Sequence, residues 1–300
     1  MQIERFPARH VANRLAARDR PFGAAERAVM DPDALTAAAA EIAAWPGYRP
    51  TPLVALPGLA AGLGIAALVY KDEGPRFGLG SFKALGGAYA VSCLLRRRLR
   101  EKHGIEATTA DLIAGRYREL LAAATVATAT DGNHGRSVAW GAQRFGCRCV
   151  IYLHEQVSAA REAAIARYGA EIRRVPGGYD GSVRRCAADA AAEGWYLVAD
   201  TSTGGGTSVA ALVMHGYAVL AREVLEQAEA KPTFTHLFVQ GGVGGLAAAL
   251  AAVFWQRLGP KRPRLVVVEP EAADCIFRTV VTGEPTPALL ARLEAVASDR

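Results

Sequence analysis

The sequence predicts an α/β fold on three observations. Its strand-like segments are continuous apolar runs, Ala-rich helical stretches separate them, and Gly- or Asn-containing loops carry strand into helix. Strands buried on both faces and joined by crossover helices form a largely parallel sheet. Residues 67–70 read as a short strand, followed by a glycine-containing loop and a helix over about 82–100. A second strand, 125–129, ends in a polar loop, and a helix starts near Arg136 or Ser137 and runs to Phe145. Residues 149–153 form a third strand, followed by a helix over about 158–168. Strands at 171–175, 196–199, 236–240 and 265–268 complete the set, with helices at 184–193, 209–228 and 246–255 between them. Pro176-Gly177-Gly178 closes the fourth strand, and Lys231-Pro232 breaks the chain before the sixth.

At about 150 residues per domain, 300 residues make one large or two modest domains. A hydrophobic fraction of 51% against 21% charged residues excludes a disordered chain. No apolar stretch reaches the roughly 18 residues of a membrane span. Met1 to Arg5 show no signal-peptide pattern, so the expectation is a soluble, cytoplasmic chain. The balance of 35 basic against 29 acidic residues leaves +6, which favours anionic ligands. Only Arg96, Arg97, Arg98 and Arg100 are grouped, and they read as a solvated helix face, not a nucleic-acid patch. Cys93, Cys147, Cys149, Cys186 and Cys275 include no CxxC pair. They read as reduced thiols, with Cys147 and Cys149 on one face of a strand and no metal site.

Three loops carry chemistry. Residues 236–240 run into Gly241, Gly242, Val243, Gly244 and Gly245, and an Ala-rich helix follows. Glycines between a strand and a helix leave backbone N–H groups aimed outward at the positive end of the helix dipole, a place for a phosphate. The other reading is a tight strand-to-helix turn. The loop lacks the G-x-x-x-x-G-K-[ST] pattern and does not open the first βα unit, so neither a P-loop nor a dinucleotide fingerprint is present. Lys83 stands at the start of an apolar helix, so it either reaches solvent or lies in a pocket. In a pocket, desolvation and the helix dipole would lower its pKa and make a nucleophilic amine. In Asp131-Gly132-Asn133-His134-Gly135, Asn133 offers both a donor and an acceptor. Asp131 is either a turn or N-cap residue or a proton acceptor, and His134 is given no role.

Together these segments resemble the tryptophan-synthase-β (fold type II) family of pyridoxal-phosphate enzymes. The features that carry the likeness are Thr51-Pro52-Leu53, Ser81-Phe82-Lys83 with Leu85-Gly86-Gly87, the Gly-Asn-His-Gly loop and the distant glycine loop. Within that family the resemblance is to the diaminopropionate ammonia-lyases. It is carried by Lys71-Asp72-Glu73, Arg76-Phe77-Gly78-Leu79, residues 130–136 with Asp131, Asp200-Thr201, His215-Gly216-Tyr217 and Val268-Glu269-Pro270 with Asp274-Cys275. Serine and threonine deaminases usually carry Ser where Asp131 stands.

The resemblance implies pyridoxal 5'-phosphate as cofactor, attached to Lys83, with its phosphate on Gly241 to Gly245 and its ring 3-hydroxyl on Asn133. Lys83 and Asp131 would remove the substrate α-proton from opposite faces, and Asp200 would pair with a substrate ammonium. The implied reaction is elimination of ammonia from D- and L-2,3-diaminopropionate to give pyruvate. The alternatives are a serine/threonine dehydratase-like lyase, or a truncated member of the fold with impaired or no catalysis. The implied architecture is two parallel-type α/β domains, C-terminally short. Residues 1–83 and 199–300 would form the larger and 84–198 the smaller, in a homodimer acting on a small amino acid. Two segments depart from the family pattern: Ser202 to Gly206 replaces a Trp-Glu-Gly-Tyr run, and the chain stops at Arg300.

Overall fold

The computed structural model describes residues 7–14, 16, 18–201, 208–228 and 234–283. The first elements are α1 (Ala24–Arg27), α2 (Pro32–Ala43), β1 (Leu53–Ala55), α3 (Pro57–Leu63), β2 (Val69–Lys71) and α4 (Lys83–His103). There follow α5 (Thr109–Ile113), α6 (Arg118–Ala122), β3 (Thr125–Ala129), α7 (Asn133–Phe145), β4 (Arg148–His154), α8 (Ala159–Ala166) and β5 (Glu171–Val175). The last are α9 (Tyr179–Glu193), β6 (Tyr196–Leu197), α10 (Val209–Ala228), β7 (His236–Gln240), α11 (Gly245–Leu258), β8 (Arg264–Val268) and α12 (Cys275–Thr282). The departure at residues 202–206 and the Lys231-Pro232 break lie outside the described residues.

Four strands form one parallel sheet in the order β5-β4-β3-β6, and β7 and β8 form a parallel pair. Every residue of β3, Thr125 and Thr128 included, is buried, as expected of an uncharged strand covered on both faces. The first expected strand does not join a parallel sheet. β2 pairs antiparallel with β1, Leu53 opposite Lys71. Val54 and Tyr70 are exposed there, and an antiparallel ribbon tolerates a solvated face where a parallel sheet does not. Cys147 lies in the turn before β4 and does not share the strand with Cys149. In the arginine group, Arg97 and Arg100 face solvent, whereas Arg96 is half-buried and pairs with Glu41 at 2.8 Å.

Helix α4 is the hub, packed against both α7 and α10. Its adjacent Gly86 and Gly87 point at different neighbours. A Cβ at Gly86 would stand 2.4 Å from Tyr217 Cε1, and one at Gly87 would stand 2.5 Å from Ser137 Oγ. On α10, a Cβ at Gly216 would stand 2.2 Å from the Leu85 carbonyl oxygen. Glycine inside a helix costs about 1 kcal/mol relative to alanine, and here it is what permits the crossing.

A buried ionic network ties the segment before β1 to α10. Arg76 donates to both oxygens of Glu223, at 2.7 and 2.8 Å, and to both oxygens of Glu73, at 2.7 and 2.8 Å. Lys71 Nζ donates to Glu223 at 2.6 Å, to the Thr51 carbonyl at 2.7 Å and to Gln227 at 2.9 Å. The Tyr48 hydroxyl donates to Glu223 at 2.8 Å. Arg76 and Glu223 are 1% and 2% exposed. Two cations face two carboxylates, and hydrogen bonds satisfy the remaining polar atoms, which is what charges this deep require.

Candidate active site

The loop ahead of α4 turns through Gly78 and Gly80, both at positive φ, and through Phe77 at φ 49°. The Phe77 ring sits against Trp45 and Trp140, with centroids 6.0 and 5.1 Å away. This turn delivers Lys83 at the first position of α4, its amide donating to Ser81 Oγ at 3.1 Å. Its Nζ donates to Asp200 Oδ2 at 2.7 Å and lies 5.6 Å from the centroid of the Phe82 ring and 5.5 Å from that of Tyr217. The side chain is 21% exposed, so Lys83 occupies a pocket.

The expected depression of its pKa is reversed. Burial does pull it down, but the negative charges beside it, that of Tyr217 once ionised at high pH and that of the Asp200 carboxylate, outweigh burial and hold the amine well above the ordinary lysine range. Burial works against ionisation of Asp200 as well, yet the His134 ring and the Lys83 ammonium hold its carboxyl at about 2. Without a ligand the amine is charged, and the ion pair must open before the nitrogen can act as a nucleophile.

Two buried polar atoms around this pair have no hydrogen-bond partner among the described residues: the Tyr217 hydroxyl and His134 Nδ1. His134 Nε2 lies 2.8 Å from the Val198 carbonyl, which can only accept, so the ring proton sits on Nε2. Burial lowers the His134 pKa and keeps the ring neutral, and Nδ1, 3.9 Å from Asp200 Oδ2, is left as an unused acceptor. The sequence reading passed over both residues, although Tyr217 stood in the His215-Gly216-Tyr217 segment. Its signal is Gly86, which leaves room for its ring, and Gly216, which lets α10 approach the backbone of α4.

Tyr217 also reaches the glycine loop. Its Cε2 stands 3.8 Å from where a Cβ at Gly245 would lie. The Gly241 amide is bonded to the Val268 carbonyl at 2.7 Å, and Gly244, at φ +89°, caps the 14-residue helix α11. A Cβ at Gly241 would stand 2.5 Å from Glu269 Cγ, whereas one at Gly242 would meet nothing within 4 Å. The amides of Gly242, Val243 and Gly244 make no hydrogen bond among the described residues. They lie on the positive end of the α11 dipole, so the loop suits an anion.

Asp131 and Asn133 lie at the head of α7, which begins three residues earlier than expected, at Asn133. Thr130 Oγ1 accepts from the amides of Gly132 and Gly135, both at 3.1 Å, and shapes the turn. Gly132 takes the N-cap place, so Asp131 is not the cap. Asn133 is exposed. Asp131 is bonded to His154 Nε2 at 3.1 Å; burial pushes its carboxyl up, His154 pulls it down, and the charge of Asp200 adds to the upward push. Asp131 and Asp200 thus feel each other across the same region, with Lys83 on Asp200. The structure brings Lys83, Asp200 and Asp131 together, links them through Tyr217 to Gly245, and leaves Asn133 at the rim.

A buried amine, an anion-binding loop and unused buried acceptors fit a cofactor that carries an aldehyde, a phosphate and a ring hydroxyl. Comparison with known proteins agrees. The model of the pyridoxal-phosphate dependent enzyme family matches residues 44–296. The chain is 41% identical over 239 residues to diaminopropionate ammonia-lyase of Escherichia coli (strain K12), covering 79% of this chain and 59% of that protein. The diaminopropionate ammonia-lyase of Salmonella typhimurium (strain LT2) is 37% identical over 244 residues, 81% of this chain and 60% of its own length. The crystal structure of the E. coli enzyme in complex with an aminoacrylate-PLP azomethine reaction intermediate matches with a TM-score of 0.77 at 38% identity, covering 86% of this chain and 65% of that one. The chain spans about three fifths of the length of the curated relatives it matches. With the family model covering most of its length and the lyase fold reproduced, the chain belongs to the pyridoxal-phosphate dependent enzyme family.

Proposed function

We propose that the protein catalyses pyridoxal-phosphate-dependent elimination of ammonia from 2,3-diaminopropionate, accepting both enantiomers and releasing pyruvate. The observation that carries this is Asp200 paired with the Lys83 amine at 2.7 Å, with a second carboxylate, Asp131, near enough for the charge of Asp200 to oppose its ionisation. A substrate with two ammonium groups and one carboxylate is matched by two acidic side chains and an electropositive loop, and the identity to the two lyases supports the same substrate.

Lys83 Nζ would hold the cofactor, the amides of Gly242, Val243, Gly244 and Gly245 its phosphate, and Asn133 its ring hydroxyl, while Gly241, whose amide is bonded to the Val268 carbonyl, would only shape the loop. When bound, the cofactor supplies an electron sink that makes the α-hydrogen of an attached amino acid acidic. Arrival of a cationic substrate gives Asp200 an alternative partner to Lys83. His134 Nδ1 offers that ammonium a second acceptor. Lys83, released from Asp200 and buried, becomes a base on one side of the α-carbon, and Asp131 takes the proton on the other. Tyr217 closes the floor between amine and phosphate loop and excludes water.

A serine/threonine dehydratase is the second reading, and Asp131 disfavours it: a carboxylate where those enzymes carry a hydroxyl suits proton removal from the second face. The domain division at 83/84 and 198/199 is supported by the four-stranded sheet, which falls wholly within 125–197. Assembly as a homodimer in the cytoplasm completes the reading. Among the described residues, no helix is long and apolar enough to cross a membrane.

The test is twofold. Purified protein given the cofactor should develop a visible band at roughly 410–420 nm that is missing in Lys83→Ala. It should then release pyruvate from D- and L-diaminopropionate at least about tenfold more efficiently than from serine or threonine. A preference for serine or threonine overturns the substrate, and absence of the band overturns the enzyme.

A further inference from the structure

His154 is the last residue of β4, and β4 runs parallel beside β3, so the turn leaving β3 brings Asp131 over the His154 ring. The residue is 5% exposed. Nothing in the reading of the sequence singled it out. Its Nε2 lies 3.1 Å from Asp131 Oδ1, and its Nδ1 lies 3.3 Å from the Gln156 amide nitrogen. A backbone N–H can only donate, so Nδ1 carries the lone pair and the ring proton sits on Nε2, where it is donated to Asp131. The ring is locked in one tautomer by a bond on each nitrogen.

Among the described residues this is the sole hydrogen bond made by the Asp131 side chain, and it engages Oδ1. The other charged or titratable groups that bear on the site are Arg161, Asp200 and Tyr179. Arg161 Cδ lies 3.7 Å from a Cβ placed at Gly132. None of them is hydrogen-bonded to Asp131. The carboxylate sits on a turn whose backbone Thr130 pins, but its own rotation is controlled from β4.

We propose that His154 is a positioning residue for the elimination, holding Asp131 Oδ1 through Nε2–H so that Oδ2 is turned to the substrate α-carbon. The inference rests on the reading of Asp131 as the second base. In the step it serves, the α-carbon–hydrogen bond breaks, the proton forms an O–H bond on Oδ2, and the electron pair stays with the substrate. A donor on Oδ1 lowers the basicity of that oxygen and leaves Oδ2, with both lone pairs free, the better proton acceptor, and a group held by a buried ring loses little orientation on binding.

The experiment uses holoenzyme labelled with 15N in the histidine rings, together with kinetics on the two diaminopropionate enantiomers. The His154 resonance, assigned by its loss in His154→Gln, should show the neutral Nε2–H pattern and should shift in Asp131→Asn. His154→Leu should lower kcat for one enantiomer by about 10-fold to 100-fold relative to the other, with KM for both changed less than about threefold. His154→Gln, whose amide can donate to the same oxygen, should recover most of that ratio. An unshifted resonance in Asp131→Asn overturns the pairing. Equal loss on both enantiomers, or no recovery with Gln, overturns the positioning role. No turnover of either enantiomer by the unaltered holoenzyme overturns the elimination reading itself, whatever the resonance shows.

Discussion

Two buried charge clusters of this molecule look alike in composition and differ in bookkeeping. Around Arg76, two carboxylates and two cations share twelve hydrogen bonds among themselves and with Thr51, Tyr48 and Gln227. Around Lys83, one carboxylate meets one amine at 2.7 Å while the Tyr217 hydroxyl and His134 Nδ1, both buried, go without partners. A saturated network has no capacity left for a ligand, and its effect is to join the entry segment to α10. An unsaturated one carries a desolvation cost that a bound molecule can relieve. The difference separates a structural clamp from a site, even though both consist of salt bridges out of water.

The largest effect that would break the contrast lies at the clamp. Glu223→Ala leaves Arg76 and Lys71 buried without their common acceptor, and denaturant unfolding should read a loss of about 3–5 kcal/mol. A loss below about 1 kcal/mol would mean the clamp is dispensable. Next comes the pH dependence of the site in the cofactor-free protein. Asp200 falls from an ordinary 3.8 to about 2, so its pairing stabilises the fold above pH 4 and is lost as pH drops through 2. Lys83, raised, contributes below its unfolded value of 10.5 and loses that contribution as pH rises beyond its folded one. The pair is therefore fully effective between about pH 4 and 10. Wild-type stability should fall by on the order of 2 kcal/mol more than that of Asp200→Asn between pH 4 and 2. Parallel curves would remove the ion pair from the account. The smallest effect is the sharpest: Tyr217→Phe deletes a hydroxyl that has no partner, so thermal unfolding of the cofactor-free protein should move by less than about 0.5 kcal/mol. Cofactor binding by the same variant, followed by absorbance, should weaken by about tenfold.

Much of the scaffold was legible because burial on both faces writes itself into composition. The segments at Thr125–Ala129 and His236–Gln240 became strands with the expected ends, as did the charged and less buried Glu171–Val175, and the Ala-rich Val209–Ala228 became a helix of the expected length. Helix starts were less legible. α9 begins at Tyr179, five residues ahead of expectation, because a glycine N-cap with extended backbone is not marked by a side chain. β1 and the helices α1, α2, α3, α5, α6 and α12 were not anticipated at all; β1 has three residues, too few for a periodic pattern, and none of the residues of β1, α1 or α12 is buried.

The local alphabet of the chain determined which segments are strands, which loops carry spare glycine amides, and that Lys83 opens a helix behind such a loop. These follow from φ preferences and apolar periodicity, which act over a few residues. Only the tertiary structure decided that Lys83 would be charged instead of free, that Glu223 would neutralise Arg76 from 147 residues away, and that His154 would hold Asp131. A pKa and a hydrogen bond depend on distances between groups that the chain separates and the fold reunites, and a Coulomb interaction falls with that distance, not with sequence position.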